Sequence, residues 1–78
     1  MARMTACEMF EKLGYECELG KYYIEYYHED EDGYKWKIVY FDIEDKTFHA
    51  DEDFDSMSIN AKTLAAICQQ IKELGWLE

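Results

Sequence analysis

Carboxylates are the most abundant reactive side chains of this sequence, and their densest run, residues 29–32, stands directly ahead of Gly33. Calcium loops of the EF-hand type alternate carboxylates before a glycine at their sixth position, so calcium binding is the first chemistry to consider. With Gly33 at position six, position twelve is Val39, where the loop needs a bidentate glutamate. The spacing therefore does not predict a calcium site.

Thiols and imidazoles are the next candidates for chemistry: Cys7, Cys17, Cys68, His28 and His49. Zinc sites bring such ligands together in short pairs of the Cys-x-x-Cys or His-x-x-x-His kind, and none occurs here. We interpret Cys7 and Cys68 as apolar fillers on helix faces, and Cys17 as a loop or strand-entry residue. Three widely spaced cysteines also argue against a disulfide framework, so we expect reduced thiols and no metal.

Catalytic signatures are missing from the sequence as well. It contains no glycine-rich phosphate loop, no Ser-His-Asp signature and no cofactor fingerprint. A catalytic carboxylate pair needs a cleft that moves two pKa values apart, and 78 residues offer little room for one. The sequence predicts a binding protein, not an enzyme, and one without a cofactor.

Net charge restricts the class of partner. Eighteen acidic residues against eight basic ones give a formal charge of -10, which repels nucleic acid phosphates and anionic membranes. We therefore expect neither direct nucleic acid binding nor a membrane partner. The N-terminus has no apolar run behind a basic start, so we also expect neither export nor membrane insertion, but a cytoplasmic protein.

The acidic charge is concentrated between residues 29 and 55, where eleven acidic residues face only three lysines. The predicted acidic binding surface consists of Glu29, Asp30, Glu31, Asp32, Asp42, Glu44, Asp45, Asp51, Glu52, Asp53 and Asp55. Short acidic side chains on tight turns can hold charge in an array comparable to the phosphates of duplex DNA. Such an array could fill the basic groove of a DNA-binding protein, although acidic loops can also serve solubility alone.

The sequence also predicts two helices, one before and one after the acidic segment. Thr5 and Glu8 have the spacing of a capping box, and the apolar spacing that follows predicts a helix over 6–13, ended by Gly14. Asn60 is the predicted N-cap of a second helix, with Ile59 and Leu64 as a hydrophobic staple. The predicted apolar stripe of this helix is Leu64, Ile67, Cys68, Ile71 and Leu74, and Gly75 ends it.

Alternating aromatic and branched residues predict three strands, over 21–28, 34–41 and 47–51. Polar turns at 29–33 and 42–46 join them, and an acidic connection over 51–58 leads to the second helix. The chain is too short to divide its core, so it should form one domain over 1–78. The predicted fold is α+β, an αβββα chain whose three-stranded antiparallel meander carries both helices on one face.

Aromatic residues are in surplus on this sheet, because the sequence holds seven Tyr, four Phe and two Trp. With both helices on one face, the other would expose one of two sets. One set is Tyr22, Tyr26, Trp36 and Tyr40, and the other is Tyr23, Tyr27 and Phe41. Exposed tyrosines favour protein interfaces, so the alternative function is an accessory or homodimeric protein that binds through Tyr23, Tyr27 and Phe41.

Three segments together resemble a known group of proteins: Leu13-Gly14-Tyr15, the aromatic central strands and the closing residues 71–76. They are similar to small acidic proteins encoded by phages and mobile elements of Gram-positive bacteria. The best understood proteins of this size and layout include anti-CRISPR inhibitors that resemble DNA. The resemblance implies a phage-type inhibitor of a basic host defence or DNA-binding protein, such as a nuclease, in the bacterial cytosol, and it assigns no individual residue.

Overall fold

The computed structural model describes residues 4–53, 55–56 and 58–76, with the backbone alone at 55–56. The elements are α1 Ala6–Lys12, β1 Glu16–Leu19, β2 Tyr23–Glu29, β3 Lys35–Asp42, β4 Thr47–Glu52, β5 Asp55–Ser56 and α2 Ala61–Leu74. The strands form one antiparallel sheet in chain order. The α+β class and the antiparallel meander are confirmed, whereas the number of strands was predicted wrongly: the described residues form four longer strands and a two-residue fifth in place of the predicted three.

Short segments with weak alternation explain the missed strands. β1 has only four residues, two of them glutamates, and it occupies the edge of the sheet beside β2. The acidic connection predicted over 51–58 instead contains β5, which turns back on β4 after Asp53 adopts a left-handed φ of 49°. Cys17, predicted as a loop or strand-entry residue, lies within β1 and packs against the core.

Local capping chemistry behaves as the sequence predicts. The Thr5 hydroxyl accepts a hydrogen bond from the Glu8 backbone N–H, and the Glu8 carboxylate accepts one from the Thr5 N–H. Asn60 caps α2 by accepting from the Thr63 N–H at 2.8 Å, and Gly75 ends that helix in the left-handed conformation. These bonds satisfy backbone donors and acceptors that a helix end leaves without partners.

The buried side of α2 differs from the predicted stripe. Leu64 is 52% exposed and Cys68 is also exposed, whereas Thr63, Ala66 and Gln70 are buried. Only Ile67 of the predicted stripe is fully buried. The predicted stripe followed hydrophobicity alone, whereas the buried side of α2 includes Gln70, which accepts a hydrogen bond from the Tyr26 hydroxyl of β2.

The core lies between the two helices and one face of the sheet. Phe10 of α1 stacks on Tyr26 of β2 with ring centroids 3.9 Å apart, and the Tyr26 hydroxyl donates to Gln70 Oε1 of α2 at 2.5 Å. Val39 and Phe41 of β3 complete the buried face. Since α1, α2 and the same strand residues share this core, both helices pack on one face of the sheet.

Candidate functional site

The second face of the sheet, called the open face below, is made of the residues that alternate with the buried ones. Strand register aligns Tyr26 with Val39 and Ile24 with Phe41, so their neighbours point to the opposite side. By this alternation the open face holds Glu16, Glu18, Tyr23, Glu25, Tyr27, Glu29, Lys35, Ile38, Tyr40, Asp42, Thr47, His49 and Asp51. Among the described residues, no helix covers this face.

Tyrosines and glutamates hold one another in place across the open face. The rings of Tyr23 and Tyr40 stack with centroids 5.5 Å apart, and the Tyr23 hydroxyl donates to Glu18 Oε2 at 2.6 Å. This hydrogen bond, with burial and nearby carboxylates, raises the pKa of Tyr23. Tyr23 therefore stays protonated at neutral pH and acts as a donor that orients the carboxylate of Glu18.

Of the residues that the structure describes, Lys35 is the only lysine or arginine on the open face. Its ammonium donates to Glu25 Oε1 at 2.6 Å and lies 4.2 Å from the centroid of the Tyr27 ring. The hydrogen bond to Glu25 raises the pKa of Lys35, so the charge persists at neutral pH. One lysine faces six carboxylates, which leaves the open face strongly negative.

Like charges are crowded at the edge of this face. Glu16 of β1 and Glu29 of β2 lie close enough to share a hydrogen bond, and that contact is the largest cause of the raised pKa of Glu29. A raised carboxyl pKa means that the negative form is disfavoured where it stands. A cation supplied by a partner would relieve this repulsion.

The eleven acidic residues predicted as one surface are divided between two ends of the sheet. The first end holds the turns after β2 and β4, with Glu29, Asp30, Glu31, Asp32, Asp51, Glu52 and Asp53. The second end holds the turn after β3, with Asp42, Glu44 and Asp45. The side chain of Asp55 lies outside the described residues. At roughly 3.3 Å per residue, the length of β3 separates the two ends by about 23 Å.

Several of the predicted acids have local structural roles. Asp30 Oδ1 accepts from the backbone N–H groups of Asp32 and Tyr34 and shapes the turn between β2 and β3. Asp42 Oδ1 accepts from the Asp45 N–H in the turn after β3. Glu52 lies on the helix side of the sheet, where Lys37 approaches it at 3.8 Å. Glu52 is therefore partly neutralised and does not contribute to the open face.

The aromatic set proposed as the alternative interface is corrected at one position. Tyr23 and Tyr27 are half-buried on the open face, but Phe41 is fully buried, opposite Ile24 and in ring contact with Phe10. Tyr40, which the sequence grouped with Tyr26, takes the place assigned to Phe41. The error arose because the sequence does not show which residues of adjacent strands stand opposite each other.

Three acids of the open face were missed from the sequence: Glu16, Glu18 and Glu25. The alternation of Glu16 and Glu18 with Cys17 and Leu19 was the available signal, since charged residues every second position indicate an exposed strand face. Because this alternation covers only the four residues Glu16–Leu19, it is too short to predict a strand, and no strand was predicted there.

Comparison with known proteins finds no match: no family model fits the sequence, and neither the curated proteins nor the solved structures return a similar chain. No helix in the described part of the chain is long and apolar enough to cross a membrane. Within residues 4–53 and 58–76, no three His, Cys, Asp or Glu side chains come together as metal ligands would.

Proposed function

We propose that this chain is a non-enzymatic binding protein that docks its open face and the adjoining first end of the sheet onto a basic surface of a protein partner. The supporting observation is the charge of that face: among the described residues, six carboxylates lie there against the single ammonium of Lys35, with Glu18 held by Tyr23 and Glu25 by Lys35. In its finer form, the proposal is a phage-type inhibitor that takes the place of DNA on a bacterial nuclease or other DNA-binding protein.

The physical basis is the regular spacing of charge on a sheet. Neighbouring strands lie about 4.8 Å apart and alternate residues about 6.6 Å apart, so carboxylates on one face form a semi-regular negative grid. Exposed acids of the turn after β2, such as Glu31 and Asp32, continue this charge beyond the strands. A groove lined by Lys and Arg, selected to bind phosphates, is electrostatically complementary to such a surface.

Capture from a bacterial lysate, followed by competition, tests this proposal. A captured partner should bind duplex DNA by itself, and a duplex oligonucleotide should displace the chain from it. Raising salt from about 50 mM to 500 mM should weaken the complex at least tenfold, because exposed charges are screened. A partner that holds the chain equally well at both salt concentrations and in the presence of excess duplex contradicts DNA mimicry.

A second candidate function is self-association through the tyrosines of the open face. The stack of Tyr23 on Tyr40 and the half-buried Ile38 offer apolar area on an uncovered surface. Two copies joined in this way would oppose six carboxylates with six more, so dimerisation should strengthen with added salt. Salt therefore separates the two candidates, since it should weaken a basic partner's binding and favour a dimer.

Paired variants add a second discrimination. Glu18→Gln with Glu25→Gln removes charge and keeps the rings, whereas Tyr23→Ser with Tyr27→Ser removes rings and keeps the acids. Loss of partner binding in the first pair with retention in the second supports charge recognition. The opposite pattern, measured by sedimentation and partner titration, supports the tyrosine interface.

A further inference from the structure

Two of the three cysteines, Cys7 and Cys17, meet on the helix side of the sheet. Cys17 of β1 stands opposite Tyr26 of β2, so it points to the same side as that buried tyrosine. Cys7 lies one turn before Phe10 in α1, and the Phe10 ring stacks on Tyr26. The stack therefore brings the part of α1 that carries Cys7 beside the strand that carries Cys17.

The connection between α1 and β1 folds the chain back sharply. Gly14 adopts a left-handed φ of 91°, and the Tyr15 backbone N–H donates to the Phe10 carbonyl oxygen at 3.0 Å. β1 begins at the next residue, Glu16, and packs against α1. The two cysteines, ten positions apart in the sequence, therefore lie on two elements that contact each other.

The thiols of Cys7 and Cys17 are in contact with each other. They lie close enough to share a hydrogen bond, and both side chains pack against the core. Burial, and after it this contact, raise the pKa of Cys17 to about 11. Burial also raises the pKa of Tyr26, and both thiols add to that increase, which places them together near the tyrosine hydroxyl.

Two thiols in contact can be joined by exchange with a small disulfide such as oxidised glutathione. One protein thiol attacks that disulfide, forms a mixed disulfide and releases one glutathione thiol. The second protein thiol then attacks the sulfur of the first, so the bond between Cys7 and Cys17 forms and the second glutathione thiol leaves. The protein loses two electrons and two protons, and the glutathione disulfide gains them.

We propose that Cys7 and Cys17 form a site of reversible oxidation, at which glutathione disulfide converts the two thiols to an intramolecular disulfide between α1 and β1. Both stay reduced in a reducing cytosol, as the sequence predicts, and they join when the share of oxidised glutathione rises. The site is independent of the proposed function, because it lies on the helix side of the sheet and not on the open face. Cys68, which is exposed on α2, takes no part.

The folded chain should favour this disulfide over the unfolded one. In the unfolded chain the two thiols meet only when the segment between them closes on itself, whereas the folded chain holds them in contact. The factor by which folding favours the disulfide is also the factor by which the disulfide favours folding, because the two equilibria are linked. Both equilibria can be measured, so the same proposal is open to two independent tests.

The redox equilibrium of a Cys68→Ser variant is the first test. The variant is brought to equilibrium in mixtures of reduced and oxidised glutathione at about pH 8, folded and in urea, starting from reduced and from oxidised chains. Mass spectrometry after an acid quench counts the chains that have lost two hydrogen atoms and carry no glutathione. The equilibrium constant for the disulfide should be about tenfold or more larger in the folded chain. A constant no larger than that in urea overturns the proposal.

Thermal unfolding is the second test. The oxidised Cys68→Ser variant should melt about 5 °C or more above its reduced form, because the crosslink restricts the unfolded chain. Cys7→Ala and Cys17→Ala, each combined with Cys68→Ser, keep one thiol and serve as controls. They should at most gain one glutathione, without a rise in melting temperature. An oxidised Cys68→Ser variant that melts at or below its reduced form overturns the proposal, and this comparison does not require the alanine controls to fold.

Discussion

The two faces of this sheet are built from the same strands, yet they use tyrosine in opposite ways. Tyr26 points into the core, stacks on Phe10 and bonds to a buried glutamine. Its neighbours Tyr23 and Tyr27 point outward and contact Glu18 and Lys35. One face thus stabilises the fold by excluding water, whereas the other holds charge in fixed positions, and residue type alone does not separate these roles.

The difference has an energetic consequence. Burial of apolar area is the main favourable contribution to folding, while like charges on the open face oppose it. Mutations on the helix side should therefore change stability most, and mutations on the open face should change partner binding with little effect on the fold.

Truncation of Phe10 should cause the largest loss of stability. Phe10→Ala removes a fully buried ring from the contact with Tyr26 and should cost about 3 to 5 kcal/mol of unfolding free energy. Urea denaturation measures this loss, and Phe10→Leu provides a milder variant if the alanine form does not fold. Tyr23→Ala, the matched aromatic truncation on the open face, should cost far less. Equal losses at the two positions contradict the division of the faces.

Loss of the hydroxyl should change the free energy of unfolding in opposite directions at two buried tyrosines, Tyr26 and Tyr15. Tyr26→Phe leaves Gln70 buried without its partner and should destabilise the protein by about 1 to 3 kcal/mol. The Tyr15 hydroxyl has no hydrogen-bond partner among the described residues, so Tyr15→Phe should stabilise by roughly 1 kcal/mol. Thermal and urea unfolding of both variants, with the parent chain, measure the sign. A clear loss of stability in Tyr15→Phe would reveal a partner for that hydroxyl.

Alkaline pH should weaken the fold through groups held neutral by burial. Burial raises the pKa of Tyr15 to about 12 and that of Cys17 to about 11, with Cys7 adding to the latter. A group whose pKa is higher in the folded than in the unfolded state stabilises the fold at any pH below its unfolded-state pKa. This stabilisation is lost as pH rises through the folded-state pKa. The melting temperature should therefore fall between pH 9 and 12.

Thiol reactivity checks the same burial at milder pH. At pH 8 a thiol reagent should modify the exposed Cys68 well before Cys17, because only the thiolate reacts and Cys17 stays protonated. Cys68→Ser should abolish the fast phase. A fast phase that survives this change would show that Cys17 or Cys7 is accessible.

The smallest expected effect concerns charge on the open face. Glu29→Gln removes one of two carboxylates in contact and should raise the melting temperature slightly at low ionic strength. Glu31→Gln, in the neighbouring turn, removes the same charge without that contact and serves as the control. Both effects should disappear in 0.5 M salt, because screening removes repulsion between exposed charges. An increase in melting temperature that persists at high salt would indicate a change in packing instead of relief of charge repulsion.

Local patterns were sufficient for many parts of the fold. Thr5 with Glu8, Asn60 and Gly75 mark helix ends through bonds within a few residues, so their roles are readable from spacing. The turn ending in Gly33 is equally local, since Asp30 bonds to the backbone two and four residues later. The α+β class followed from these signals and from the alternation in β2 and β3.

Which residues of distant segments share a face or the core could be determined only from the tertiary structure. Phe41 was grouped with Tyr23 and Tyr27 until the register of β2 and β3 placed it in the core. Leu64 is exposed while Ala66 and Ile67 join the core, because the side of α2 that is buried is set by its packing in the folded chain.

The amino-acid sequence alone determined the net charge and the density of carboxylates between 29 and 55, because these depend only on which residue stands at each position. Which carboxylates share a surface was decided by strand direction. Successive turns of an antiparallel sheet lie at opposite ends, so the acidic segments 29–32 and 42–45 are separated, while Glu16 of β1 is brought beside Glu29 of β2.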